Sequence, residues 1–327
     1  MRSEVRQDLV SGDWILVAKE RSKRPHEIKP RHEMKHPESG DPFENPEAFD
    51  NVVVKTYMKD DESDWRMKII KNKYPLVTPG ICGPVMEKGP FKYMEGVGFH
   101  EVFITRDPDK DMPEFSLEEN TFIVRAFRDR FRDIIENDEC QEYTLIFHNH
   151  GVEAGASLRH PHSQIISIPV YPPEVARSIE GAYKYFEQNK KKVHQVLVEW
   201  EMEEGNRTVY QNDKFIALCP YASKSPYEMR IYPKNFGSGF EDAREEDLKD
   251  LADALGTALR KLRDGLNDPA YNFYIHTSPK EIKFRDSYTW HIEILPKIST
   301  IAGFEMGTGI DVNAIDPEDA AELLRNA

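Results

Sequence analysis

The feature that most constrains the fold is an order of predicted elements that occurs twice, about 130 residues apart. The first copy has a strand ending at Thr105, a helix, a strand leading to His148, and a strand that starts at His160-x-His162. The second copy has a strand ending at Tyr232, a helix, a strand leading to His276, and a strand that starts at His291-x-Glu293. This order predicts an α+β protein built from a duplicated unit.

Each copy is expected to form an antiparallel sheet with helices packed on it. The first helix is predicted over 116–137, where Ser116 and Glu119 form a capping box. A long charged helix is predicted over 173–202 and another over 245–267. We place the N-terminal catalytic repeat at 1–170 and the C-terminal repeat at 171–327.

The composition narrows the partners and the location. A net charge of −14 argues against a nucleic-acid-binding surface, which would be basic. No apolar run approaches the roughly 18 residues that would suggest a membrane span. Three distant cysteines, Cys82, Cys140 and Cys219, argue against a disulfide framework and against a Cys-x-x-Cys metal site. These observations predict a globular cytoplasmic protein.

The chemistry is predicted to lie in the segment 155–166, which runs from Gly-Ala-Ser into His160-Pro161-His162-Ser163-Gln164. Small residues allow a backbone to approach a phosphate closely. Alternate side chains of the strand that follows share one face, so His160, His162 and Gln164 are expected to point the same way. An imidazole is a nucleophile at neutral pH and also a good leaving group. The alternative is a pair of ordinary histidines beside a proline in an edge strand.

This run resembles the galactose-1-phosphate uridylyltransferases, the transferase branch of the histidine-triad superfamily. That branch has Gln where the hydrolase branch has a third histidine. The resemblance extends over nearly the whole chain, in the segments 6–17, 21–25, 72–75, 98–102, 149–157, 220–228, 290–291 and 302–309. It implies a duplicated histidine-triad-like fold and a homodimer.

The resemblance also implies roles for individual residues. His162 becomes the nucleotidylated nucleophile, the carbonyl of His160 orients its ring, and Gln164 donates a hydrogen bond to a phosphate oxygen. The other implied contacts are Asn149 and Ser157 with phosphates, Arg21 and Arg24 with the second substrate's phosphate, Asn72 with base and ribose, and Glu305 with sugar hydroxyls. Asp311 stands where some members carry Gln, which leaves the choice of sugar open.

Many members of this family bind zinc near the N-terminus, and here the chain departs from their pattern. Asp41 and Glu44 replace a Cys-x-x-Cys pair, and Lys110 replaces a histidine, so we expect that zinc to be lost and an Asp41/Glu44/Lys110 ion-pair cluster to take its place. The C-terminal repeat keeps a candidate set for one zinc or iron ion: His276, His291 and Glu293, with Glu180 as a fourth ligand. A hydrogen-bonded remnant of the duplicated site is the equal alternative.

The leading functional hypothesis is transfer of uridylyl from UDP-glucose to a hexose 1-phosphate by double displacement. The alternative is the same chemistry with adenine, as in phosphorolysis of ADP-glucose or of a diadenosine polyphosphate. A nucleotide-binding protein without catalysis is a third class. The expected partners are therefore a nucleotide sugar and a hexose 1-phosphate, with neither nucleic acid nor membrane.

Overall fold

The computed structural model describes residues 2–23, 34, 40–137, 140–279 and 281–327. The strands are β1 Glu4–Gln7, β2 Trp14–Val17, β3 Val53–Met58, β4 Trp65–Lys71, β5 Met86–Lys88, β6 Phe91–Tyr93, β7 Phe99–Thr105, β8 Tyr143–His150, β9 His162–Ile168, β10 Thr208–Gln211, β11 Phe215–Leu218, β12 Met229–Pro233, β13 Tyr271–His276, β14 His291–Pro296 and β15 Val312–Asn313. The helices are α1 Leu117–Asn137, α2 Pro173–Asn189, α3 Val193–Glu204, α4 Leu248–Leu266, α5 Ile282–Arg285, α6 Gly303–Thr308 and α7 Pro317–Asn326.

Ten strands form one antiparallel sheet in the order β10-β11-β12-β14-β13-β8-β9-β7-β4-β3. Read outward from the central pair β8–β13, the two halves have equivalent strand orders, β8-β9-β7-β4-β3 and β13-β14-β12-β11-β10. Each half has one long helix at the same place in the chain: α1 between β7 and β8, and α4 between β12 and β13. The predicted α+β fold with a duplicated histidine-triad-like unit is confirmed. The two copies do not form separate sheets, because β8 pairs with β13 across the centre.

Helices α1 and α4 cover one face of this sheet and contact each other. The predicted capping box begins α1: the Ser116 amide donates to Glu119 Oε2 at 2.8 Å, and the Glu119 amide donates to Ser116 Oγ at 3.2 Å. Phe127 of α1 meets Phe103 of β7 edge-on at 4.8 Å between ring centres. This apolar packing makes the first repeat a rigid support for the side chains on the other face of the sheet.

The opposite face carries the alternate side chains, including those of His162 and Gln164. Helices α2 and α3 lie on this face. Val175, Ile179 and Val193 share a core cluster with Tyr143 of β8, and Val198 of α3 packs with Ile216 and Tyr232 of the second repeat. The single helix predicted over 173–202 is two helices, because Lys190 adopts a left-handed φ of 52° that ends α2.

The N-terminal strands lie against the second half of the chain. β2 pairs with β1 and, in parallel, with β15. Arg6 forms an ion pair with Asp316, and Asp8 forms one with Arg230. The domain boundary at residue 170 stays a prediction. Strands β1 and β2 precede that residue in sequence but pack on elements that follow it.

The cysteine prediction was wrong in one respect. Cys82 and Cys140 form a disulfide with their Cα atoms 5.4 Å apart, although 58 positions separate them in sequence. Distance along the chain does not limit distance in space, and an odd count leaves one thiol over, the buried Cys219. No helix in the described ranges is long and apolar enough to cross a membrane.

Candidate active site

His162 is the first residue of β9 and is held in one orientation. Its Nδ1 donates to the carbonyl oxygen of His160 at 2.9 Å. This bond fixes the tautomer, so Nε2 carries the lone pair. The ring meets Phe43 edge-on at 5.1 Å, and only 7% of the residue's surface is exposed. Even so, His162 lines an open cleft of about 390 Å³.

Burial makes this ring neutral over the whole physiological pH range. Loss of hydration lowers the pKa of His162 from 6.5 to about 4, against the opposing effect of its bond to the His160 carbonyl. An imidazole that stays unprotonated at neutral pH keeps its lone pair available for attack on an electrophile.

Gln164 points toward the same cleft and is held by two neighbours. Leu76 donates its amide hydrogen to His100 Nδ1 at 3.1 Å, which leaves the proton of His100 on Nε2. That Nε2 donates to Gln164 Oε1 at 2.9 Å, and Asn72 Nδ2 donates to the same oxygen at 3.2 Å. Because its oxygen accepts these two hydrogen bonds, the Gln164 amide has its NH₂ group available as a hydrogen-bond donor.

The cleft brings together four of the residues predicted from sequence: His162, Gln164, Asn72 and Ser157. Ser157 is exposed at the end of a loop whose turns depend on Gly151 and Gly155, with φ of 85° and 88°. Aromatic and aliphatic side chains form the other walls, and they include Phe43, Phe49, Tyr74 and Ile70. Apolar walls with a few convergent polar groups are typical of a small-molecule site.

His160 does not line the cleft with the nucleophile, although both rings contact Phe43. Its ring is buried, with Nδ1 2.7 Å from Asp41 Oδ2 and Nε2 2.7 Å from the Thr105 carbonyl oxygen. The predicted Asp41/Glu44/Lys110 cluster was therefore wrong: Asp41 contacts His160, Glu44 is exposed, and Lys110 pairs with Asp107 at 3.9 Å. Of these four residues only Asp41 and His160 meet, and two ligands do not make a zinc site.

Other predicted binding residues lie outside the cleft. Asn149 lines a neighbouring cavity and accepts from Asn272 Nδ2 at 2.8 Å. Arg21 is exposed on a short 3-10 helix, and Arg24 lies outside the described residues. Glu305 caps α6 through the Ala302 amide at 3.1 Å, and burial raises the pKa of Asp311. A single chain does not bring Glu305 and Asp311 to the cleft.

The C-terminal group His276, His291 and Glu293 lines a separate cavity of about 260 Å³. Glu293 lies 3.4 Å from His276 Nε2 and 3.8 Å from His291 Nε2. Arg230 also places its Nε 3.0 Å from Glu293 Oε1, which neutralises the carboxylate without a metal. This contact favours the hydrogen-bonded core over the zinc or iron site.

Glu180 does not join that group, because it is exposed on α2 while Ser178 and Val175 of the same helix face the cavity. The buried His194 of α3 lies beside His291 instead, with ring centres 5.5 Å apart. The roles of His194, His100 and Phe43 were not predicted from sequence, although His100 lies in the segment 98–102 that resembles the family. Each residue reaches its site from a different part of the chain, so spacing along the sequence does not mark it.

The geometry is that of an enzyme site: a neutral imidazole with a fixed tautomer and a neighbouring amide donor line one small-molecule cleft. A family model described as the N-terminal domain of galactose-1-phosphate uridyl transferase matches residues 1–172. The chain belongs to this family and is a nucleotidyltransferase. A second model, described as a domain of unknown function, matches residues 107–326.

Two curated relatives extend over almost the full chain. ADP-glucose phosphorylase of Arabidopsis thaliana is 31% identical over 98% of this chain and 92% of its own. Galactose-1-phosphate uridylyltransferase of Thermotoga maritima is 30% identical over 98% of each.

Solved structures agree with this assignment. The Arabidopsis ADP-glucose phosphorylase with bound ADP-glucose has a TM-score of 0.84 at 28% identity, covering 100% of this chain and 99% of that one. A uridylyltransferase structure has a TM-score of 0.76 at 27% identity, covering 99% and 98%.

Proposed function

We propose that this enzyme moves the nucleotidyl group of a nucleoside diphosphate sugar onto a phosphate acceptor in two displacements at His162. In the first step Nε2 attacks the α-phosphorus, the bond to the bridging oxygen breaks, and the sugar 1-phosphate leaves. In the second step an acceptor phosphate oxygen attacks the same phosphorus, and the P–N bond breaks to return the free imidazole. The observation that carries the proposal is the neutral His162 ring, fixed through Nδ1 beside the open cleft.

Gln164 and Ser157 are the residues expected to contact the phosphate oxygens in the transition state. The Gln164 NH₂ group stabilises the nonbridging phosphate oxygens, which gain negative charge as phosphorus is attacked. Its oxygen is already engaged by His100 and Asn72, so the donor is held in place before substrate arrives. A neutral amide donates no proton to a leaving group, and this favours a phosphate acceptor over water.

Two donors fit this chemistry. ADP-glucose with inorganic phosphate as acceptor is our first candidate, supported by the Arabidopsis phosphorylase as the relative with higher identity and TM-score. UDP-glucose with a hexose 1-phosphate as acceptor is the second candidate and was the leading one from sequence. It is supported by the Thermotoga uridylyltransferase and by the model matching residues 1–172.

The test uses ADP-glucose and UDP-glucose, each labelled at the α-phosphate. The protein is mixed with either donor without acceptor, quenched in denaturant, and counted for bound label. Wild type should be labelled faster by ADP-glucose, and inorganic phosphate should release the label as ADP. Lys191→Ala, a change on an exposed residue away from the cleft, is the matched control and should be labelled as wild type is.

His162→Gly should carry no label. Label that persists in this variant would refute the covalent step, and faster labelling by UDP-glucose would reverse the order of the two donors.

A homodimer is part of the proposal. Glu305 and Asp311 lie away from the cleft of their own chain, whereas the implied sugar contacts require them at a cleft. The same segment exposes large apolar side chains: Ile301 is 67% exposed, Phe304 48% and Met306 74%. Such a surface is expected to be covered by a second copy. A cytoplasmic location remains a prediction from sequence.

A further inference from the structure

Three buried side chains meet on the face of the sheet opposite the cleft, and nucleotidyl transfer does not use them. Asp111 lies in the connection between β7 and α1, and His148 and His150 lie on β8. His148 Nε2 is 3.0 Å from Asp111 Oδ2, and His150 Nδ1 is 2.8 Å from the same oxygen. One ligand atom from each residue lies within 4.8 Å of the others.

We propose that Asp111, His148 and His150 form a binding site for a divalent transition-metal ion of the zinc class. Two imidazoles and one carboxylate are a ligand set that zinc uses when a water completes the tetrahedron. Arms of about 2.1 Å in a tetrahedron separate the ligand atoms by roughly 3.4 Å. The two observed separations are 2.8 Å and 3.0 Å, so shifts of about half an ångström open the site.

Both histidines already have the second partner that a metal ligand needs. A ligating imidazole donates its remaining N–H to a carboxylate or another oxygen, which fixes the ring. His150 Nε2 lies 3.1 Å from Asp268 Oδ1, and His148 Nδ1 lies 3.0 Å from Ser163 Oγ. The nitrogens that face Asp111 are therefore the ones that would coordinate the ion.

The rings are also held by packing. His148 stacks on Phe273 at 5.1 Å with planes 7° apart, and His150 stacks on Tyr271 at 4.6 Å with planes 15° apart. Both aromatic residues lie on β13, so the second repeat supports a site formed by the first.

An ion has a route to this site and space for a water. A cavity of about 170 Å³ is lined by Asp111 and His150, together with Asn149 and Pro161. In the C-terminal group, by contrast, Arg230 already forms an ion pair with Glu293 and compensates its charge. At Asp111 the bound ion provides the compensating positive charge.

The bound ion would tie four elements together. It links the β7–α1 connection to β8, and through Ser163 it reaches β9 next to the nucleophile. Through Asp268 it reaches the connection between α4 and β13. The ion is structural: it supports His162 from behind and takes no part in the transfer.

The test is zinc retention by the full chain. Protein stripped with a chelator is loaded with zinc chloride, dialysed, and measured by mass spectrometry of the metal. Wild type should retain one equivalent, and zinc a hundredfold above its Kd should raise the Tm by about 4 °C. His150→Gln should retain none. His276→Gln, the matched change at the C-terminal group, should retain the full equivalent.

Asp111→Asn, which is nearly isosteric, repeats the test if His150→Gln does not fold. Wild-type protein without retained zinc would overturn the proposal and leave a histidine–carboxylate hydrogen-bond network. Zinc that is lost in His276→Gln, or kept in both first-repeat variants, would place the ion elsewhere and overturn it equally. Activity is not the readout, so failure here is separate from failure of the proposed reaction.

Discussion

The pKa of His162 makes a quantitative prediction for the pH dependence of covalent labelling. With a pKa of about 4, about 97% of the rings are neutral at pH 5.5, whereas at the ordinary value of 6.5 only about 9% would be. Desolvation therefore changes the reactive fraction roughly tenfold at this pH. In a quenched-flow assay with α-labelled ADP-glucose, the labelling rate should stay level from pH 8 to 5 and fall by half near pH 4.

Phe43 provides the test of the cause, since it covers the His162 ring at 5.1 Å. Phe43→Ala lets water reach the imidazole, so the midpoint should rise toward 6.5. Tyr74→Ala is the control: it removes an aromatic wall of the same cleft that is 83% exposed, and the midpoint should stay near 4. A wild-type midpoint near 6.5, or equal shifts in both variants, would refute the desolvation argument.

Four further outcomes are expected. Gln164→Ala should lower kcat by roughly 10²–10³-fold, as loss of an oxyanion donor does, while circular dichroism stays unchanged. Arg230→Met leaves the buried Glu293, Glu228 and Asp8 without their partner, so urea denaturation should show a loss of about 3–5 kcal/mol. Phe127→Ala opens a cavity in the core and should cost about 3–5 kcal/mol in the same assay. Phe304→Asp should raise the dimer dissociation constant at least about tenfold by analytical ultracentrifugation, because a charge replaces an exposed apolar contact.

Acid stability follows the same pKa shift. Above pH 6.5 His162 is neutral in both folded and unfolded chains and has no effect. As pH falls from 6.5 to 4, the unfolded chain gains a proton that the folded chain does not, and stability falls by about 3 kcal/mol. His162→Asn should remove this part of the loss, measured as urea midpoints at pH 7 and pH 4.5. Equal acid sensitivity in both proteins would contradict it.

The local parts of this fold were predictable from sequence. The capping box of α1 and the period-two strands depend on residues near one another in the chain. Repetition of that local pattern was enough to predict the duplication. The contact between the His162 ring and the His160 carbonyl, which the family resemblance implied, is also local and is observed at 2.9 Å.

Contacts between distant elements were not predictable. His100 and Gln164 are 64 residues apart and meet because β7 and β9 pair. Glu180 was chosen by sequence position, but the buried side of α2 runs through Val175 and Ile179 and leaves Glu180 exposed. Helix rotation about its axis decides such cases, and it is set by the tertiary packing of the whole helix.

The ion pair between Arg230 and Glu293 is another contact that could not be predicted from sequence. The family resemblance made His276, His291 and Glu293 candidate ligands, with a hydrogen-bonded remnant as the equal alternative. Only the pairing of β12 with β14 reveals a guanidinium beside that carboxylate. A metal ligand set can be proposed from residue types, but the competing counter-ion comes from another strand.

The pairing of β8 with β13 has a consequence for any attempt to express one half alone. A fragment ending at residue 170 would leave the eight-residue β8, now at the heart of the protein, with a row of bare amides and carbonyls along one side. Such an edge recruits strands from other molecules, so the fragment should precipitate or form a mispaired oligomer. The same argument applies to β13 in the other half, so neither repeat is expected to be stable on its own.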